Sequence, residues 1–145
     1  MALLSTGNGV AYPVIGGYMG NVTSTYGSWA NYNTTYYRWV LPNAGTYELH
    51  ASIRTRAWGS TGFTKFVPYR VSDSSRNADD VRMGFEQNNN ASQVNVQQHF
   101  VWIVTTTANG DTYYLQGQAM VTDSANHSVQ SDANGYNQCW WRRLN

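Results

Sequence analysis

Thr46-Tyr47-Glu48-Leu49-His50-Ala51-Ser52-Ile53 decides the fold. Tyr47, Leu49, Ala51 and Ile53 fall on one side of an extended chain, and Thr46, Glu48, His50 and Ser52 on the other. This period of two belongs to a strand with one buried face. The pattern recurs further along. From Val94 to Val104 one face carries Val94, Val96, Phe100, Trp102 and Val104. From Thr112 to Val121, Tyr113, Leu115, Ala119 and Val121 share a face, with Gln116 and Gln118 opposite. Shorter extended stretches are Tyr36–Leu41, Phe63–Val71, Val81–Glu86 and Cys139–Leu144, and no window shows a capped helical stripe. Turn residues separate them at Pro42–Gly45, Trp58–Ser60, Ser72–Asn77, Asn88–Ser92 and Asn109–Asp111. The last of these, an Asn-Gly between two strong strands, predicts a β-hairpin. Seven or more short punctuated strands mean an all-β protein, an antiparallel β-sandwich or barrel.

Size and composition bound what such a fold can be used for. The chain of 145 residues fits one domain able to build its own core. Charged residues make up 12% and the net charge is +1, which disfavours a nucleic-acid partner. With 6 Trp, 11 Tyr and 4 Phe, the chain is too apolar for disorder. Cys139 is the sole cysteine, so neither a disulfide framework nor a thiolate metal cluster is available. The opening MALLSTGNG lacks the charged n-region and apolar run of a signal peptide. The longest apolar run, FVWIV at Phe100–Val104, is far too short to span a bilayer. These features predict a protein made in a cytoplasm and not inserted in a membrane. The glycosylation-type sequons at Asn21, Asn33, Asn90 and Asn126 then carry no meaning beyond composition. Residues 1–35 are rich in Gly, Asn, Ser, Thr and Tyr. They read as an N-terminal arm with short strands, either a loop-rich edge of the sandwich or a segment reaching a neighbour. Residues 36–145 form the main domain.

Chemistry is sparse. His50, His99 and His127 show no zinc-ligand spacing, and no nucleophile elbow or phosphate-binding glycine loop is present. Glu48 and Glu86 are the only glutamates. Asp79-Asp80 could offer oxygen ligands to calcium, but adjacent acids in a polar loop are more simply a solvated turn. The reading is no catalytic residue, no metal and no cofactor.

The aromatic residues say more. Trp39, Tyr47 and Trp102 sit among alternating apolar residues and are expected in the core. Trp58, beside Gly59-Ser60, marks a loop tip where a ring can stack on a sugar or a partner. Trp140 and Trp141 are adjacent on a strand and must point to opposite faces. One of them therefore faces outward and invites cover from another subunit.

Three segments, in order, are similar to the jelly roll shared by complement globular heads and tumour-necrosis-factor-like proteins. YYRWVLPNAGTYELHASIR carries an apolar strand leading into Gly45-Thr46-Tyr47. NGDTYYLQGQAM carries Gly110-Asp111 followed by an alternating strand, and NQCWWRRLN is a terminal aromatic strand. The resemblance covers roughly residues 36–145 and implies a jelly roll assembling as a homotrimer, with Tyr114, Trp140 and Trp141 as candidates for the trimer contact. The chain departs from the secreted members in having no collagen-like stem, signal peptide or disulfide pair. It looks more like the versions found in bacteriophage particles.

That resemblance implies a non-enzymatic virion structural protein. The first reading is the tip of a tail fibre or spike that attaches to the host surface, a glycan or a protein. Its receptor-binding candidates are Trp58, Ser60, Phe63, Asn89, Asn90 and His127, in the loops at Ala57–Phe63, Asn88–Ser92 and Asp123–Asn137. The alternative is a capsid decoration (cement) protein, or another assembly protein that docks on other virion components. A glycan depolymerase using Asp79, Asp80 or Glu86 ranks last.

Overall fold

A computed structural model describes residues 8–12, 22–23, 29–31, 34, 37–58, 62–86, 93–119, 127–129 and 137–145. Along the chain run β1 (Asn8–Tyr12), β2 (Val22–Thr23), β3 (Ala30–Asn31), β4 (Arg38–Leu41), β5 (Gly45–Trp58) and β6 (Gly62–Arg70). They are followed by β7 (Ser75–Arg76), a 3₁₀ turn (Ala78–Asp80), β8 (Arg82–Glu86), β9 (Gln93–Thr106), β10 (Asp111–Ala119), β11 (His127–Val129) and β12 (Gln138–Arg143). The segment that opened the sequence reading lies within β5, which organises the first sheet. β9 pairs with β5 along all 14 residues of one edge, from Gly45↔Thr106 to Trp58↔Gln93. β12 and β11 share its other edge, with β1 beyond β12 and β2 beyond β11. In the second sheet β10 and β6 lie side by side. β4 and β3 flank β10, and β8 and β7 flank β6. All these pairings are antiparallel, so the protein is an all-β sandwich of two sheets.

The inward faces fall where the alternation places them. Tyr47, Leu49, Ala51 and Ile53 are fully buried, as are Trp39, Leu41, Trp102 and Leu115. Trp39 and Trp102 meet edge to face at 5.9 Å and 68°. Trp39 Nε1 donates to the His50 carbonyl at 2.9 Å, and Trp102 Nε1 donates to the Asp80 carbonyl. Phe66 and Phe100 add a ring contact between the sheets at 5.1 Å. Buried Asn137 stitches the core to the backbone: its Nδ2 donates to the Tyr37 hydroxyl and its Oδ1 accepts from the Arg54 N–H. Cys139, opposite Ala51 in register, is fully buried, and burial pushes its thiol pKa far above the ordinary range.

The structure corrects the expectation of a hairpin at Asn109–Asp111. β9 and β10 belong to different sheets, and residues 107–110 carry the chain across the sandwich. A two-residue Asn-Gly hairpin needs positive φ at both residues, but only Gly110 adopts it (φ 70°). Side chains set the crossing. Thr106 Oγ1 and Arg70 Nε each donate to Asp111 Oδ2 at 2.7 Å, tying the start of β10 to β6. The β4–β5 turn crosses between sheets at the same end and is bonded to this one. Ala44 N–H donates to Asn109 Oδ1 at 2.9 Å, and Gly110 N–H to the Pro42 carbonyl at 3.3 Å. The strand ends that flank segments 59–61, 87–92 and 120–126 lie at the opposite end.

Candidate functional site: the outward face of the first sheet

Alternation that buries Leu49 and Ala51 turns Glu48, His50 and Ser52 outward, and register brings their neighbours from β9 and β12. Ile103 and Arg142 flank Glu48, Val101 and Trp140 flank His50, and His99 and Gln138 flank Ser52. The side chains of this face form a continuous chain. Arg142 Nη2 donates to the Glu48 carboxylate at 2.8 Å, and that carboxylate contacts His50 Nε2 at 3.1 Å. His50 Nδ1 lies 3.1 Å from His99 Nε2. A carboxylate only accepts, so His50 donates to Glu48 through Nε2–H. With His50 neutral, its Nδ1 accepts from His99 Nε2–H; with His50 charged, Nδ1–H donates to a neutral His99.

The Trp140 indole stacks on both imidazoles, at 4.9 Å and 11° from His50 and 5.0 Å and 22° from His99. On the same face, across β5 from Trp140, Ile103 and Val101 of β9 are 60% and 37% exposed, a short apolar strip. Ser52, opposite His99, has its hydroxyl held by Gln97 Nε2 at 2.7 Å rather than by an imidazole.

The electrostatics follow from these contacts. The hydrogen bond from Arg142, then that from His50, holds Glu48 below the usual carboxylate range. Burial, with the neighbouring His50 charge adding to it, holds His99 below its ordinary value of 6.5. A lowered histidine pKa means that the unfolded chain binds the proton more readily. The contribution of His99 is therefore present above about pH 6.5 and lost as pH falls towards its folded pKa. The contribution of Glu48 persists to lower pH and is lost as its carboxyl protonates. The thermal midpoint is expected to fall as pH drops below about 6.5, and His99→Gln should flatten that slope. An NMR titration of the imidazole Cε1–H signals checks the assignment; a His99 midpoint above 6.5 would contradict it.

Trp140 lies at the centre of this face. Trp141 points inward, edge to face with Tyr47 at 5.4 Å, and packs against the core. Tyr114 projects from the outward face of the second sheet, between Arg38 and Tyr69 in register. Trp58 closes β5, Phe63 is the second residue of β6, and His127 starts β11 opposite Ala57. These three share the end of the sandwich away from the crossing turns. Ser60, Asn89 and Asn90 lie outside the described residues. Asp79 and Asp80 form the 3₁₀ turn, where Asn77 Oδ1 accepts from the Asp79 N–H at 3.1 Å. Among the described residues, no group of three or more His, Cys, Asp or Glu side chains is arranged to hold a metal, and no helix is long and apolar enough to cross a membrane. Period two puts His50 and His99 on outward faces but does not join them to each other, to Glu48 or to Trp140. The strand neighbours that do so are not written in local periodicity.

In comparisons with known proteins, no family model matches the chain and no curated protein matches it in sequence.

Proposed function

We propose that the protein is a non-enzymatic, self-associating jelly roll that works as a homotrimer in a bacteriophage particle, at the tip of a tail fibre or spike that attaches to the host surface. The observation that carries self-association is the outward face of the first sheet, where exposed Ile103 and Val101 of β9 share a face with Trp140 of β12 across β5. Aromatic residues and arginine are favoured at protein interfaces, and covering this strip with another copy removes it from water. The strand order supports the jelly-roll reading: β1-β12-β5-β9 in one sheet, β4-β10-β6-β8 in the other, with both crossing turns passing between sheets. Attachment draws on the sequence resemblance and on the end of the sandwich that gathers Trp58, Phe63 and His127. Three weak contacts there would act together through avidity.

Light scattering after gel filtration tests the assembly. Three copies of a 16.3 kDa chain give about 49 kDa. Ile103→Arg, at an exposed position, should leave the fold intact and return the mass to that of one chain. A monomeric unmodified protein would overturn the homotrimer. The second reading, capsid decoration or another assembly role, is separated by copy number: a decoration protein covers the shell in many copies, a tail tip is present in few.

A further inference from the structure

We infer that the outward face of the second sheet binds an acidic saccharide, a chain of pyranose rings bearing carboxylates. This deepens the attachment reading, and rests on it for its biological sense. The starting observation is a row across four strands. Arg38 of β4 pairs with Tyr114 of β10, Tyr114 with Tyr69 of β6, and Tyr69 with Arg76 of β7. Core residues Trp39, Tyr113, Phe66 and Leu115 occupy the opposite faces of the same strands, so this row points away from the core. Strand spacing of about 4.8 Å places the two arginines about 14 Å apart, with two tyrosine rings between them.

One end of the row is built up into a cleft. The Arg76 guanidinium lies 5.8 Å from the centroids of both the Trp29 and Tyr69 rings. Its Nη1 donates to Gln116 Oε1 at 2.8 Å, and Gln116 Nε2 donates to Asn31 Oδ1 at 2.7 Å. Beside it a cleft of about 170 Å³ has Val67 as its floor and is walled by Trp29, Asn77 and Val81. Cation–ring contacts and the amide relay fix the guanidinium in place, so less freedom is lost when it meets a ligand.

Charge selects the ligand. The described outward side chains of β4, β6, β7 and β10 include Arg38, Lys65 and Arg76 and no carboxylate, although the chain as a whole carries 9 Lys+Arg against 8 Asp+Glu. Of the nearby acids, Asp73 pairs with Arg70 at 3.3 Å, Asp80 lines a separate pocket with Arg70 and Tyr113, and Asp79 lies in the 3₁₀ turn at the cleft's rim. Guanidinium groups meet carboxylates in matched geometry, while tyrosine and tryptophan rings offer flat apolar faces to the C–H side of a sugar. Cations alone would suit any polyanion. Rings interleaved with them favour one built of pyranoses.

The test is binding of the intact protein to alginate, polygalacturonate, hyaluronate and polysialate oligomers, with a neutral glucan and poly-L-glutamate as controls. The expected result is saturable, salt-sensitive binding to at least one acidic saccharide and to neither control. Arg76→Gln should weaken it about tenfold or more, and Tyr114→Ala should weaken it comparably, both with unchanged circular dichroism. Equal binding to poly-L-glutamate, full binding by Arg76→Gln, or no binding to any of the four saccharides overturns the inference. Mass in solution separates the two readings. An intact trimer that ignores every saccharide defeats this inference and spares the assembly. A monomer that binds and loses affinity with Arg76→Gln defeats the homotrimer and spares the site.

Discussion

Trp102→Ala is expected to destabilise the protein by about 3–5 kcal/mol, read as a shift in the denaturant midpoint at unchanged slope. The indole is fully buried in β9 and touches Trp39 of the second sheet edge to face and Phe100 of its own strand at 5.9 Å each. Removing it leaves a cavity between the sheets, bordered by a second indole that cannot collapse into the space. It also strands the Asp80 carbonyl, which accepts the Trp102 Nε1–H and anchors the 3₁₀ turn over the sandwich. Trp102→Phe separates the two contributions. It keeps most of the ring contact and loses the hydrogen bond, so the cost should drop to about 1–2 kcal/mol. A loss below about 1 kcal/mol for the alanine variant would mean that the two sheets do not meet through this pair.

The second large effect is at Asp111. Its side chain is 1% exposed and accepts from Arg70 Nε, Thr106 Oγ1 and Ser72 Oγ. Asp111→Ala removes the acceptor shared by these donors and by the Thr112 N–H, and leaves the Arg70 guanidinium without its shorter carboxylate contact. Breaking one side of a buried pair typically costs 3–5 kcal/mol. Arg70 is 24% exposed and keeps Asp73, so the expected loss is about 3 kcal/mol, the lower end. Asp111→Asn retains size and one acceptor oxygen and should lose less. A cycle with Arg70→Ala and the double variant measures the coupling. Additive single losses would show that Asp111 acts through its other donors, the Ser72 and Thr106 hydroxyls and the Thr112 N–H. Because Asp111 opens β10 just after the crossing turn, loosening it should also speed hydrogen exchange at residues 107–112.

These two sites differ in how far the sequence announced them. The alternation around Tyr47–Ile53 and Phe100–Val104 marks Trp102 as inward without any knowledge of what it meets, because period two follows from backbone geometry alone. Nothing local marks Asp111: its burial depends on Arg70 and Thr106 arriving from β6 and β9. The Asn109-Gly110 turn misleads for a related reason. Two residues state that the chain reverses, but which strand receives it is decided by pairings tens of residues away. The same limit hides the outward face of the first sheet. Glu48 and His50 are recognisably outward-facing in one strand, yet their joining to His99, Trp140 and Arg142 requires the order β9-β5-β12. The row from Arg38 to Arg76 lies further from view, since four short strands each contribute one residue.

Cys139 has a consequence for handling and habitat alike. The thiolate is the form that attacks disulfides, reacts with peroxide and binds soft metals, and a thiol buried against Ala51 is held protonated. The chain has no second cysteine to exchange with. Its folded state is thus indifferent to redox poise: it should form the same structure in a reducing cell and in an aerated medium, and should not cross-link on storage without reductant.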